Sequence, residues 1–305
     1  MKSIKSVSII GMGALGLLYG SYFSQMPEAA SVSFVMDEER FKKNQNLIFT
    51  VNGVNFEPQM VSDINAKPAD LVIVAVKYTS LASALTTMAK SVDEHTIIMS
   101  VMNGITTEAI IQEHFPNARV IYTIAQGMDA QKYGNALKYT KTGKLLVGTV
   151  NNKNEDALEE VIGFLEKTGI PYVHEKDIMY RMWVKFMLNV GINQVSFVFN
   201  KSYRVIDEDS EANRILIAAM REVEVLGQTE GIPLTEKDLN FCLDLERSLD
   251  PDAMPSMGQD RINMKHSEVE LFAGTVIRLA EKHNIPVPAN RYIYKRVYEI
   301  ESEFE

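Results

Sequence analysis

A short apolar run, Val7 to Ile10, leads into Gly11-Met12-Gly13-Ala14-Leu15-Gly16 and continues as a helical pattern to Ser24; no other segment restricts this chain as strongly. A strand that turns into a helix through G-x-G-x-x-G implies a definite geometry. Gly11 permits the tight turn, Gly13 lets backbone approach a pyrophosphate, and Gly16 lets the helix lie close on the strand. The first amides of the helix attract phosphate. The same glycines would suit a plain turn, but the strand before them and the helix after them point to a dinucleotide held by residues 11 to 16 as a group.

That unit predicts more of its kind. Ser31 to Met36, Leu71 to Val76, Thr96 to Ser100 and Val120 to Ile124 are short, β-branched and apolar, with helix-length segments such as Ala14 to Ser24 and Thr107 to His114 among them. Strands apolar on both faces belong to a parallel sheet covered on both sides, so the first half reads as α/β, a Rossmann-type doubly wound sheet. Asn135 to Thr140 and Lys144 to Gly148 flank a Thr-Gly turn and read as an antiparallel pair added to that sheet. A helix over Asp156 to Lys167 and a strand over Pro171 to His174 close it, and from Asp177 onward only helical periodicity remains. At 305 residues the chain exceeds what one core usually serves. It is read as a dinucleotide-binding domain over residues 1–176 and an all-helical domain over residues 177–305.

Charge and cysteine content narrow the function classes. Lys and Arg number 31 against 40 Asp and Glu, a net charge of -9, and such a balance works against binding the phosphates of DNA or RNA. Cys242 is the single cysteine beside five histidines, so neither an internal disulfide nor a metal site is expected. Val7 to Leu18 contains three glycines and no cleavage site, and is not read as a targeting segment. No apolar run approaches the roughly 20 residues that cross a bilayer. A cytoplasmic protein without a nucleic-acid or membrane partner is expected.

Asp37 ends the second strand about 20 residues after the last glycine, where an acid bonds the adenosine ribose of NAD(H). Arg40 stands three residues on and suits the 2'-phosphate of NADP(H) instead. Both readings stay open, the acid leaning toward NADH, and an ordinary loop acid beside Glu38 and Glu39 is the plain alternative. Lys77 and Asn103-Gly104 follow two other strands at the sheet end where ligands bind, although Asn-Gly also serves tight turns alone.

Tyr180 to Phe199 is apolar almost all round and so reads as a buried helix, yet Arg181, Lys185, Asn189 and Asn193 recur along it every fourth residue. Each polar group buried without a partner costs about 1–3 kcal/mol. The stripe therefore faces a ligand cavity or an internal polar network, and the cavity is the better reading. Lys185 is the candidate general acid, because an ammonium beside a ketone polarises it and supplies a proton as hydride arrives. Arg181 is read as an ion-pair residue. Farther on, Ser256 and Gln259 match an S-x-x-Q capping box before a helical pattern through Ile262, Val269, Phe272, Val276 and Leu279. On that pattern Glu268 reads as a solvated acid paired with Lys265, and Tyr292 and Tyr298 read as packing.

With these segments assembled, the chain resembles the ketopantoate reductase (2-dehydropantoate 2-reductase) family from end to end. The resemblance rests on Gly11 to Gly16, Met102-Asn103-Gly104, Trp183-Val184-Lys185 with Asn189 and Asn193, Pro255 to Asp260, and Ser267-Glu268. It implies reduction of ketopantoate to pantoate, toward pantothenate and coenzyme A, with hydride from NADP(H) and a proton from Lys185. It also implies that Glu268 holds the lysine and the substrate hydroxyl, and that Asn189, Asn193 and Ser256 bind substrate. Asn103 would meet nicotinamide and substrate, and Lys77 would line the cofactor side. The implied partner is a small-molecule 2-keto acid, a homodimer stays open as the assembly, and closure of two domains over a cleft is expected.

Two positions depart from the family pattern. Asp37 stands where many members carry a basic residue consistent with NADPH, and Ala253 stands where some carry a polar substrate-binding residue. Two other functions compete. A β-hydroxyacid dehydrogenase shares the Lys-x-x-x-Asn step from Lys185 to Asn189, but Asn193, Ser256 and Glu268 favour ketopantoate reductase. A non-catalytic nucleotide sensor would bind cofactor and turn nothing over, and Lys185 with Glu268 argues against it.

Overall fold

A computed structural model describes residues 3–304. They form two compact units, one ending at Ile178 and the other beginning at Met179. The first unit opens with β1 (Ser6–Ile10), α1 (Ala14–Ser24), β2 (Ser31–Met36), α2 (Glu38–Asn44), β3 (Phe49–Val51), β4 (Val54–Phe56) and β5 (Met60–Ser62). It continues through β6 (Leu71–Val74), α3 (Leu81–Met88), β7 (Ile97–Ser100), α4 (Thr107–His114) and β8 (Arg119–Met128). β9 (Gln131–Tyr133), β10 (Ala136–Lys138), β11 (Thr142–Gly148), α5 (Glu155–Thr168) and β12 (Tyr172–His174) complete it.

The main sheet has eight strands in the order β12-β11-β8-β7-β6-β1-β2-β5. Every neighbouring pair is parallel except β8 with β11. The continuous apolar strands are explained by cover on both faces: Ile9, Leu71, Ile73, Ile97 and Met99 pack with residues of α1 and α5, whereas Ile10, Val72, Val74 and Ile98 pack with residues of α3 and α4. Successive side chains of a strand point to opposite faces, so neither face is left to water. This is the Rossmann-type α/β sheet that the βα rhythm requires.

The expected pairing of residues 135–140 with residues 144–148 does not form. β11 pairs with β8, with Leu146 opposite Ile124, and β10 joins a second sheet in the order β4-β3-β10-β9. β8 runs on to Met128 and so offers β11 a long partner. The Thr-Gly pair is no turn but the start of β11, where Gly143 at φ +67 allows a close approach; a Cβ there would lie 2.4 Å from the Gln126 carbonyl oxygen. β3 and β4 form a hairpin on Asn52-Gly53, both at positive φ, 50 and 82. That turn is a strong hairpin signal, but its strands are too short and exposed to register as apolar runs.

Among the described residues the second unit has no strand. Its helices are α6 (Ile178–Phe199), α7 (Glu211–Thr229), α8 (Glu236–Arg247), α9 (Ser256–Ile262), α10 (Thr275–His283) and α11 (Pro288–Glu301), with a π-helical turn over Glu270–Gly274 leading into α10. Two glycines set the α6–α7 distance: a Cβ on Gly191 would lie 2.7 Å from Met220 and one on Gly227 3.3 Å from Trp183. The single helical pattern from Ile262 to Leu279 is in fact broken. α9 stops at Ile262, Met264 takes φ +48, and residues 265–268 are irregular before the π turn. No helix among the described residues is long and apolar enough to cross a membrane.

Candidate active site

In the first unit β1 lies between β2 and β6, the point at which strand order reverses and where ligands of such sheets bind. Gly11 follows β1 at φ +105, and a Cβ there would lie 2.5 Å from the Ala75 carbonyl oxygen. At Gly16 a Cβ would lie 2.1 Å from the Gly11 carbonyl oxygen. These two glycines are demanded by the fold itself. Gly13 differs, because its Cβ would meet nothing nearer than 3.7 Å; no contact within the fold demands a glycine there, and the open space is what close approach of a pyrophosphate would require. Gly13 also caps α1 without a side-chain bond, and the first turn carries no acid. Such a helix start favours an anion, so the loop fits a dinucleotide pyrophosphate.

Asp37 and Arg40, the two candidates for the ribose end, are engaged with each other. Asp37 caps α2, its Oδ1 accepting from Arg40 N at 2.8 Å, while Arg40 Nε lies 3.5 Å from Asp37 Oδ2. Both side chains remain more than a third exposed, at 37% and 58%, so the pair is open to exchange for a ligand group. Lys77 opens the turn after β6, and Asn103 follows β7 just before Gly104 turns the chain at φ +94.

In the second unit the polar stripe lies on α6. Lys185 is half-buried, and Asn189 and Asn193 are 6% and 7% exposed. Asn193 Nδ2 donates to Asn189 Oδ1 at 2.9 Å, and Ser256 Oγ donates to Asn193 Oδ1 at 3.0 Å. Asn189 Nδ2, at the end of this ladder, has no acceptor among the described residues. Such a donor costs about 1–3 kcal/mol unless something meets it. Nearby, Cys242 donates to the Val184 carbonyl at 3.5 Å; burial, with Glu246 and Asp238 adding, pushes its thiol up to about 12, so it is no nucleophile.

The expected capping box does not form. Pro255 is the N-cap of α9, Ser256 is its first residue, and Gln259 Nε2 donates to the Met254 carbonyl at 2.9 Å. The hydroxyl goes to Asn193 because α9 lies tightly on the C-terminal half of α6. A Cβ on Gly258 would lie 2.2 Å from Ser196 Oγ, and Arg261 donates to the Phe197 and Val198 carbonyls in the last turn of α6. Those carbonyls have no helical partner of their own. Gly258 and Arg261 are thus positioning residues missed in the sequence; a glycine inside a helical pattern was the available signal.

Glu268 stands just before the π turn, so helical i−3 spacing from Lys265 does not apply. Its neighbour is fixed: Ser267 N donates to Glu301 Oε1 at 2.7 Å, and Ser267 Oγ accepts from Val269 N at 3.3 Å. The Glu268 carbonyl accepts from Leu271 N at 2.9 Å and Phe272 N at 3.3 Å. Tyr298 does more than pack: its hydroxyl donates to Glu270 Oε1 at 2.6 Å, and that bond raises the phenol well above its usual range.

Known proteins carry the same two-part pattern. The profile of ketopantoate reductase PanE/ApbA matches residues 7–152, and that of its C-terminal part matches residues 177–301. The chain belongs to the ketopantoate reductase family. Members of this family are NAD(P)H-dependent oxidoreductases. A 2-dehydropantoate 2-reductase of Halobacterium salinarum is 23% identical over 295 residues, covering 93% of this chain and 95% of the relative. That of Aquifex aeolicus is 24% identical over 303 residues, covering 95% and 94%. Among solved structures, the dimeric ketopantoate reductase of Staphylococcus aureus superposes with TM-score 0.81 at 19% identity, covering 98% of this chain and all of that one. A D-mandelate dehydrogenase with NADH and anilino(oxo)acetate reaches TM-score 0.84 at 20% identity, covering 98% and 99%.

Proposed function

We propose that the protein reduces ketopantoate to pantoate with NADPH or NADH, a cytoplasmic step toward pantothenate and coenzyme A. The observation that carries this reading is the unsatisfied amide of Asn189, which ends the Ser256–Asn193–Asn189 ladder one helical turn from Lys185. A 2-keto acid offers the matching acceptors in its carboxylate and ketone oxygens.

Backbone amides of Gly11, Met12, Gly13, Ala14, Leu15 and Gly16 hold the pyrophosphate, and Asp37 or Arg40 meets the ribose end. Lys77 and Asn103 line the nicotinamide side. When bound, the reduced nicotinamide supplies two electrons as hydride to the ketone carbon. Lys185 Nζ polarises the ketone oxygen and gives it a proton as negative charge develops, then recovers that proton from water. Glu268 holds the ammonium and the substrate hydroxyl, while Asn189, Asn193 and Ser256 fix the substrate against rotation.

Asp37, together with the likeness to a D-mandelate dehydrogenase that binds NADH, favours a second reading: reduction of a different 2-keto acid with NADH. Both are tested by following nicotinamide absorbance with each cofactor, first with ketopantoate and then with a series of 2-keto acids. Oxidation dependent on ketopantoate supports the first reading, and a higher kcat/KM on another keto acid supports the second. Cofactor binding with no oxidation on any of them would leave a nucleotide sensor. A homodimer, like that of the Staphylococcus aureus relative, is the proposed assembly and is checked by light scattering.

A further inference from the structure

We infer that Gln194 is a positioning residue for Glu268, acting by inserting its side-chain amide into the backbone ladder of the π turn over Glu270–Gly274 that follows Glu268. The inference rests on the reading of Glu268 as a site residue. Gln194 is fully buried and directly follows Asn193 on α6. Its Oε1 accepts from Ala273 N at 2.9 Å. In a regular helix Ala273 N would bond the Val269 carbonyl. Here that carbonyl takes Gly274 N at 2.9 Å, five residues on, and also Phe272 N at 3.2 Å. An acceptor inserted from outside is a recognised cause of a π turn, and Gln194 supplies it.

The direction of this amide is itself set. Gln194 Nε2 donates to the Val190 carbonyl at 2.8 Å and to Asn290 Oδ1 at 3.3 Å. Asn290, also fully buried, is oriented in turn because its Nδ2 donates to Glu222 Oε2 at 2.7 Å. Glu222 accepts the first amides of α11 as well, Ala289 N at 2.7 Å and Asn290 N at 3.0 Å. The carboxylate therefore fixes Asn290, Asn290 fixes Gln194, and Gln194 presents an oxygen to Ala273. Without that oxygen the turn would close to ordinary α pairing, and Glu268 would swing by about 100° around the helix axis, the angle of one residue. The same α6 residue pair, Asn193 and Gln194, thus sets both the substrate ladder and the placement of the acid.

The test is a double-mutant cycle of Gln194→Met with Glu268→Gln, read as kcat, KM and NAD(P)H affinity, together with a crystal structure of Gln194→Met. Gln194→Met is expected to lower kcat about 30-fold in the wild-type background and less than about 3-fold in the Glu268→Gln background, since the two act as a unit. Cofactor affinity should not move. Equal fractional losses in both backgrounds would overturn the inference. If Gln194→Met does not fold, Asn290→Ala takes its place in the cycle with the same expected pattern. Independently of any substrate, a crystal structure of Gln194→Met must show the Ala273 amide paired with the Val269 carbonyl; a π turn that persists over Glu270–Gly274 sinks the inference. A wild-type protein that reduces no 2-keto acid overturns the functional reading instead.

Discussion

In the proposed site the first unit would offer backbone at residues 11–16 and the second side chains at Lys185, Asn189 and Asn193, and different physics holds each in place. The glycine loop is set by what it lacks: a Cβ at Gly11 or Gly16 would collide with carbonyl oxygens at 2.5 and 2.1 Å. The α6 ladder is set by what reaches it from elsewhere in the sequence, with Ser256 coming from 63 residues away. A backbone site is encoded by a local run of residues. A side-chain site needs a second helix brought to the right distance, here by Gly258 and Arg261.

The largest effect expected from this contrast belongs to Lys185→Ala. Turnover should fall roughly a thousandfold, within the usual range for a lost general acid, while NAD(P)H affinity measured by fluorescence stays within about twofold. Equal loss of both would mean that the stripe is structural. Gly11→Ala and Gly13→Ala separate the two kinds of glycine. The first forces a Cβ into backbone at positive φ and should cost about 2 kcal/mol or more, a fall of several degrees in Tm. The second should leave Tm within about 1 °C yet weaken cofactor binding about tenfold, because its Cβ enters only the ligand's space. If both variants behave alike in thermal melts and in cofactor titrations, the distinction fails.

Ser256→Ala removes one hydrogen bond to Asn193 and should raise KM for the keto acid about fivefold, from the roughly 0.5–1.5 kcal/mol of such a bond, with Tm little changed. The smallest effect tests whether every unpartnered polar group of the second unit belongs to the site. Glu246 is buried, neither carboxylate oxygen has a partner among the described residues, and burial holds its carboxyl well above the usual range. The unfolded chain ionises this group above about pH 4.3 and the folded chain does not, so the stability it leaves intact in acid is lost as pH rises toward the folded value. Glu246→Gln should therefore raise Tm by about 2 °C at pH 8 and by less at pH 4, with kcat unchanged. A loss of turnover would place Glu246 in the machinery. Glu230 runs the other way, since bonds from Lys282 and His283 hold its carboxyl low and its contribution is lost as pH falls.

Local sequence determined the parts whose physics is local. The strand, the glycine turn and the helix through Ser24 follow from short-range sterics, and the apolar stretches announce a sheet covered on both sides. The period of four along α6 announces a polar face within an apolar helix. Tertiary structure alone decided where β10 and β11 pair, because register depends on which strand edges are long enough to receive them. It alone turned Ser256 from a helix cap toward Asn193, since a hydroxyl bonds the nearest strong acceptor, and helix packing decides which acceptor that is. It also broke the helix after Ile262, and it brought to the π turn over Glu270–Gly274 an acceptor from Gln194, 79 residues from Ala273, a distance that no pattern of neighbouring residues spans.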